Sequence, residues 1–150
     1  MTDIDIEEPA WTEALPNAEA LVLEAAEATL ASEGAVGEGL ALLLTDDLSM
    51  ADLNRRFRDQ DRPTNVLSFP APQNPERFLG DIALAYGVCA REAEEQGKPL
   101  AHHLQHLVAH GVLHLLGYDH ETDAQAEEME GLERAVLAGL GIPDPYLAGK

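Results

Sequence analysis

The stretch HGVLHLLGYDH, residues 110–120, holds three histidines, two glycines and one aspartate in eleven positions. His110 and His114 are four residues apart, so on a helix both imidazoles project from the same face, about one turn from each other. Gly117 stands where a glycine with positive φ commonly ends a helix and lets the chain turn back. The spacing therefore predicts that the imidazole of His120 meets those of His110 and His114.

Three neutral imidazoles form a ligand set typical of a zinc-like ion. Structural zinc sites are usually closed by four ligands that commonly include cysteines, and this chain has a single cysteine, Cys89. A site with three protein ligands leaves a position for water, whose pKa falls to about 7 on zinc. The pattern favours a hydrolytic centre in which His110, His114 and His120 hold one Zn²⁺.

Gly111 separates this pattern from that of the zinc peptidases, H-E-x-x-H-x-x-G-x-x-H. Those enzymes carry their general-base glutamate at the position of Gly111, so the usual proton acceptor of peptide hydrolysis is missing here. A glycine also lets another chain segment or a substrate backbone approach the helix closely. A metallopeptidase is therefore the weaker alternative.

Three further histidines precede this stretch. His106 lies one turn before His110, where a packed or solvated position is more common than a place at the edge of a site. His102 and His103 lie near the start of the predicted helix, and we expect both to face water. None of the three is needed to explain the metal-binding pattern.

Composition limits the class of protein. The chain has 150 residues, 45% of them hydrophobic, and 1–150 is expected to form one domain. Its single cysteine excludes an intrachain disulfide framework, and its acidic start lacks the apolar segment of a signal peptide. No apolar stretch is long enough for a membrane span, so we expect a cytoplasmic protein with no membrane partner.

Apolar periodicity predicts a helix over about 17–33, with Asn17 as its cap and Gly34 as its stop. A second helix is predicted to contain MADLNRRFR, capped by Asp47 or Ser49. Strands are predicted at DIDI, LALLLTDD, TNVLSFP and LGDIALA, and helical patterns run from Gly87 to about residue 141. Residues 141–150 are rich in proline and glycine and are expected to form a loose tail.

Positive charge is scarce and unevenly placed. Lys and Arg number 9 against 28 acidic residues, for a net charge of -19, so a polyanion must meet a local basic patch. Guanidinium groups bind phosphate bidentately and stabilise charge that builds on it, although a surface ion pair is the simpler interpretation of any single arginine. The segment that supplies most of these groups contains Arg55, Arg56, Arg58, Arg62 and Arg77.

In three places the chain resembles the YbeY family of bacterial ribosomal-RNA-maturation endoribonucleases. The family hallmark is H-G-x-L-H-L-x-G-Y-D-H, and residues 110–120 match it without a departure. The stretch LNRRFRDQDRPTNVLSFP, residues 53–70, is similar to the family's L-N-x-x-[FY]-R…T-[DN]-V-L-S-F-P, and LGDIALA contains its G-D-I strand. The resemblance runs in order from about Leu53 to His120.

The resemblance implies that the three motif histidines bind the metal and that Arg58 is important for activity. It implies a zincin-like α+β fold, with a mixed sheet of about four strands and the metal site on a helix in the C-terminal half. It also implies processing of ribosomal RNA, notably the 3′ end of the small-subunit RNA, and ribosome quality control. The implied partners are the small ribosomal subunit and assembly factors that include a GTPase.

Our hypothesis is that zinc on the three histidines activates water or polarises a phosphate oxygen, while Arg58 stabilises the transition-state charge. Arg55, Arg56 and Arg62 are candidates for RNA contacts. Asp119 and Glu121 flank the third ligand, and Asp119, which belongs to the motif, is the better candidate to support an imidazole or accept a proton.

A non-enzymatic ribosome-assembly factor is the main alternative. In that case the metal mainly pins the C-terminal helices, and the protein works by contact. The charge of -19 favours it to some extent, because a free acidic enzyme binds naked RNA poorly unless a partner steers it. The resemblance also implies that Thr64, Asn65 and Ser68 border the cleft.

Overall fold

The four strands and the first three helices lie before residue 86, and three further helices follow. The computed structural model describes residues 2–58 and 64–146, and at Arg58 it describes helix membership but not the side chain. In chain order the elements are β1 (Thr2–Ile6), α1 (Ala10–Ala14), α2 (Ala18–Ser32), β2 (Gly39–Thr45), α3 (Asp47–Arg58), β3 (Val66–Pro70), β4 (Phe78–Ala85), α4 (Tyr86–Glu95), α5 (Leu100–Leu115) and α6 (Asp123–Gly139).

The sheet is built around β2, whose apolar run lies between two parallel neighbours. The strand order is β1-β2-β4-β3, with β1 and β4 parallel to β2 and β3 antiparallel to β4. Leu40, Leu42 and Leu44 are buried, as expected for a central strand of a parallel sheet covered by helices. The α+β fold with a mixed sheet of four strands is therefore confirmed.

Helices cover both faces of the sheet, and one face carries most of the core. On that face α2 and α5 pack against the strands, with Val22 and Leu30 of α2 and Val108 of α5 in the same apolar cluster as Leu42. On the other face Met50 of α3 packs against β3 and β4 in a smaller cluster. The position of α5 follows from this packing, since its apolar side must lie on the sheet.

Some predicted boundaries agree with the structure and others do not. The helix predicted over 17–33 is α2, and Gly34 ends it at φ +70°, but the side chain of Asn17 makes no capping bond. The predicted cap of α3 was wrong: Asp46 precedes the helix and accepts a hydrogen bond from the backbone N–H of Ser49 at 2.7 Å. Two acidic residues in a row made the choice of cap ambiguous.

The segment after α6 differs from the loose tail expected over 141–150. Ile142 is buried, and the hydroxyl of Tyr146 donates a hydrogen bond to Glu133. Residues 147–150 lie outside the described part of the chain.

Within residues 2–58 and 64–146, the structure contains no helix with the length and hydropathy needed to cross a bilayer.

Candidate metal centre

The end of α5 places the first two histidines and begins the turn toward the third. Gly117 has φ +106°, and its N–H donates to the carbonyl of His114 at 3.0 Å. The N–H of Tyr118 donates to the carbonyl of Leu113 at 3.0 Å, which completes a Schellman motif. The turn predicted at Gly117 is therefore present, with the positive φ that glycine adopts at little cost.

The loop that carries His120 is fixed at its other end by the start of α6. The hydroxyl of Thr122 accepts from the backbone N–H of Gln125 at 3.1 Å, and the side chain of Gln125 accepts from the N–H of Thr122 at 3.2 Å. This capping box has a sequence signature, Thr-x-x-Gln, that our sequence analysis did not use. His120 thus lies in a short loop held between two helix ends.

The structure brings His110, His114 and His120 together. Ring centroids lie 4.6 Å apart for His110 and His114, 5.0 Å for His114 and His120, and 5.5 Å for His110 and His120. One nitrogen from each ring lies within 4.8 Å of the others, close enough to share one ion. The first two rings are half-buried and the third is exposed, so the cluster opens to solvent on the side of His120.

The protein engages one nitrogen of each helical ring and leaves the other for the cluster. Nδ1 of His114 donates to the carbonyl of Tyr118 at 2.9 Å, and Nδ1 of His110 donates to the carboxylate of Glu133 at 2.7 Å. Because carbonyl and carboxylate oxygens only accept, the Nε2 atoms are the nitrogens that carry lone pairs. Ligand histidines in metalloproteins are held in the same way.

Electrostatics also favour the neutral form that a metal requires. Burial lowers the pKa of His114, and positive charge on His110 and His120 lowers it further. A neutral imidazole at neutral pH is the form that binds zinc. The donor set and its support therefore fit a zinc-class ion held by three imidazoles.

Glu133 of α6 is a charged group in the interior that the sequence analysis missed. Its side chain is fully buried, and its carboxylate accepts from His110, from Nε2 of His106 at 2.7 Å, and from the hydroxyl of Tyr146. Burial alone raises the pKa of Glu133, but hydrogen bonds from His106 and His110, with the other donors, outweigh burial and lower it to about 2. The carboxylate is ionised at neutral pH.

A sequence signal for Glu133 did exist. Met129, Glu133 and Leu137 are spaced by four residues, and all three are buried on one side of α6. A carboxylate in an otherwise apolar helical stripe needs partners, because an unpaired buried charge is costly. Such a residue is a candidate to meet one of the histidines of the preceding helix.

The three earlier histidines of α5 lie outside the cluster. His103 was expected to face water, but it is buried and its Nε2 lies 2.8 Å from a carboxylate oxygen of Glu92. The apolar side of α5 is wide enough to include this position. Since Nε2 of His106 is engaged by Glu133, His106 is packed beside the cluster and does not belong to it. His102 is half-buried near the start of the helix.

Gly111 lets α5 lie close to the sheet. A Cβ atom at this position would be 3.0 Å from Cγ2 of Ile82 and 3.3 Å from Oγ of Ser68. The hydroxyl of Ser68 donates to the carbonyl of Gly111 at 3.2 Å. Of the two interpretations of this glycine, close approach of a chain segment is the one observed.

A cleft of about 600 Å³ lies in front of the histidine cluster. One wall is formed by residues at and before β3, and these include Thr64, Asn65 and Ser68. They border the cleft as expected. Asp119 also lines it, but its carboxylate accepts from the backbone N–H of His120 at 2.8 Å, so its contact is with the loop backbone.

The arginines are placed less favourably for the proposed chemistry. Arg55 and Arg56 are exposed on α3, where both form ion pairs with Asp52, that of Arg56 at 3.1 Å. Neither is among the described residues that line the cleft. The side chain of Arg58 and the whole of Arg62 lie outside the described part of the chain.

Comparison with known proteins gives a consistent result. A family model described as Endoribonuclease YbeY matches residues 4–141. A protein of that name from Rhodopseudomonas palustris is 54% identical over 155 residues, which covers 97% of this chain and 80% of the relative. Another from Azorhizobium caulinodans is 52% identical over 151 residues, covering 96% and 94%. The solution structure of TM1509 from Thermotoga maritima has a TM-score of 0.60 and 28% identity over 100% of this chain and 99% of that one.

Proposed function

The chain belongs to the Endoribonuclease YbeY family, and from this premise we propose that its histidine cluster is the metal centre of an RNA-cleaving site. Membership makes the chain a nuclease, a hydrolase of phosphodiester bonds. Metal-dependent endonucleolytic cleavage in ribosomal-RNA processing is the function that this membership supports.

We propose that His110, His114 and His120 hold one Zn²⁺ through their Nε2 atoms. The observation that carries the proposal is that these rings converge at the edge of an open cleft while Nδ1 of His110 and His114 is engaged by the protein. When bound, zinc supplies Lewis acidity to a phosphate oxygen and lowers the pKa of a water molecule. Three protein ligands suit a catalytic site better than a closed structural one.

The chain's own residues have separate roles in this proposal. Arg58, the last residue of α3, is proposed to stabilise the negative charge that builds on the phosphate. Arg55, Arg56 and Arg62 are proposed to contact the RNA backbone, where binding rests largely on phosphate contacts. The carboxylate of Asp119 accepts from the backbone N–H of His120, and we propose that Asp119 supports the imidazole of His120 through this contact.

We also propose a cellular role. We infer that the substrate is ribosomal RNA, notably the 3′ end of the small-subunit RNA, and that the chain also acts in ribosome quality control. The proposed partners are the small ribosomal subunit and assembly factors including a GTPase, which would bring this acidic chain to RNA in the cytoplasm. We propose that residues 1–150 act as one endoribonuclease domain.

The test combines elemental analysis of bound metal with cleavage of a single-stranded RNA. Wild type, His114→Ala and Arg58→Ala are compared, with His102→Ala and Arg91→Ala as controls of matched residue type, since the side chain of Arg91 is exposed on α4. We expect one zinc per chain, lost in His114→Ala and kept in Arg58→Ala, and cleavage that falls in both. Equal cleavage by wild type and His114→Ala at matched purity would point to a contaminating nuclease and refute the catalytic proposal.

Three other outcomes favour the alternatives. If metal follows the histidines but cleavage depends on neither His114 nor Arg58, the assembly-factor function is supported. Cofractionation with ribosomal subunits that survives loss of the metal ligands would strengthen that conclusion. Peptide hydrolysis that a chelator abolishes would support a metallopeptidase.

A further inference from the structure

Glu133 is the point at which three structural elements meet behind the histidine cluster. One carboxylate oxygen accepts from His110 of α5 at 2.7 Å. The other accepts from His106 of α5 at 2.7 Å and from Tyr146 in the segment after α6. A fully buried carboxylate with this set of donors is satisfied on both oxygens, which offsets the cost of removing it from water.

The contact with His110 has a direct consequence for ligand geometry. A hydrogen bond from Nδ1 to a carboxylate fixes which nitrogen carries the proton, holds the ring at one angle and raises the basicity of Nε2. His114 receives its corresponding support from the main-chain carbonyl of Tyr118. For His110 the support comes from a side chain, so a substitution can remove it.

We propose that Glu133 is a positioning residue that orients His110 for metal binding, with His106 and Tyr146 holding the carboxylate in place. The proposal rests on the proposed function, because it takes His110 to be a metal ligand. It also explains the half-buried His106, since Nε2 of that ring lies 2.7 Å from Glu133 and holds one carboxylate oxygen.

Tyr146 is itself held in position. Its backbone N–H donates to the carboxylate of Asp144 at 2.8 Å, and Nε of Arg134 lies 3.0 Å from the second oxygen of the same carboxylate. The guanidinium of Arg134 also lies over the Tyr146 ring, 5.1 Å from its centroid. The segment after α6 therefore delivers a fixed hydroxyl to Glu133.

The experiment measures zinc affinity by competition with a chromophoric chelator, using the full chain. Glu133→Gln keeps the size of the side chain but removes its charge, and Glu127→Gln makes the same change at an exposed position of the same helix. We expect Glu133→Gln to weaken zinc binding about 10- to 100-fold and Glu127→Gln to leave it unchanged. Cobalt substitution adds a spectroscopic readout, and we expect the visible bands of bound Co²⁺ to shift in Glu133→Gln alone.

Tyr146→Phe tests the outer part of the arrangement. It removes one donor and leaves both the carboxylate and His110 in place, so we expect a smaller loss of zinc affinity, about two- to tenfold. Should Glu133→Gln fail to fold by circular dichroism, Tyr146→Phe carries the test, and an unchanged affinity in it then overturns the proposal.

The outcomes separate this inference from the proposed function. Zinc that depends on His114 but binds Glu133→Gln with wild-type affinity and an unshifted cobalt spectrum refutes the positioning role and leaves the metal centre standing. Zinc binding that does not depend on His114 refutes the proposed function itself. Restored affinity in Glu133→Asp would support a requirement for the carboxylate.

Discussion

The two ends of α5 each pair a histidine with a glutamate, yet only one end forms part of the histidine cluster. Nε2 of His103 lies 2.8 Å from Glu92, whereas at the other end it is Nδ1 of His110 that lies 2.7 Å from Glu133. Nδ1 of His103 is buried and has no hydrogen-bond partner among the described residues. His110 instead turns its second nitrogen toward two other rings.

The comparison teaches that ring orientation, more than residue type or contact with a carboxylate, decides which histidine can bind a metal. A ring held through Nδ1 presents Nε2 at its tip, where other ligands can meet it. A ring held through Nε2 presents only the nitrogen nearest its own backbone. Burial lowers the pKa of His103, although Glu92 opposes this shift, which favours a neutral ring. Since Nε2 donates its proton to Glu92, the buried Nδ1 of the neutral ring carries a lone pair and leaves no N–H unpaired.

The strongest test of the difference between the two ends of α5 is to replace one histidine at each end. We expect His110→Ala to weaken zinc binding by more than about 100-fold, because loss of a ligand costs more than loss of its support. We expect His103→Ala to bind zinc as wild type does. Equilibrium dialysis with elemental analysis measures both, and zinc loss in His103→Ala would show that the two ends are not distinct.

His103→Ala, which should not affect zinc binding, should instead lower the stability of the fold. His103→Ala removes a buried ring and its bond to Glu92, and we expect it to lower the free energy of unfolding by about 1–3 kcal/mol. Urea unfolding of the metal-free protein measures this change, with His102→Ala as the control. An unchanged midpoint in His103→Ala would mean that its buried contacts contribute nothing to stability.

Between the two ends, Gly111 fixes how closely α5 lies on the sheet. A Cβ there would press on the buried Ile82 from 3.0 Å, so we expect Gly111→Ala to destabilise the fold by about 1–2 kcal/mol despite the better helix propensity of alanine. Gly131→Ala in α6 meets no atom within 4 Å and should stabilise by about 0.5–1 kcal/mol. Thermal unfolding of the two variants measures the difference, and equal effects would argue against the close packing.

The last prediction concerns pH. The pKa of Glu133 is lowered from 4.5 to about 2 in the folded chain, so its contribution to stability is fully present above the unfolded pKa and is lost as pH falls toward 2. We therefore expect the stability advantage of wild type over Glu133→Gln, measured with a chelator present, to shrink between pH 5 and pH 3. A difference that stays constant over this range would contradict the lowered pKa.

Features set by neighbours in the chain were predictable. The four-residue spacing of His110 and His114 and the positive φ of Gly117 both follow from local geometry. The same is true of α2 and of the apolar strand β2, whose patterns are long enough to be unambiguous. Convergence of His120 on the other two rings could be predicted because only a short turn intervenes.

Features set by distant partners were not predictable in the same way. The burial of His103 depends on Glu92 of another helix, and nothing in the sequence around His103 distinguishes it from a solvated residue. Glu133 was detectable as a charge in an apolar stripe, but its partner is 23 residues away. The role of Arg58 rests on the family resemblance alone, since its side chain lies outside the described residues.

The distance in sequence between the ligands and Glu133 has a consequence for the order in which the protein is made. A ribosome synthesises a chain from its N-terminus onward, so all three histidines are joined to the chain before α6 and Tyr146. A nascent chain that ends after His120 carries every candidate ligand but not the carboxylate that orients His110. If Glu133 has the role we propose, full metal affinity arises only once α6 has folded back onto α5.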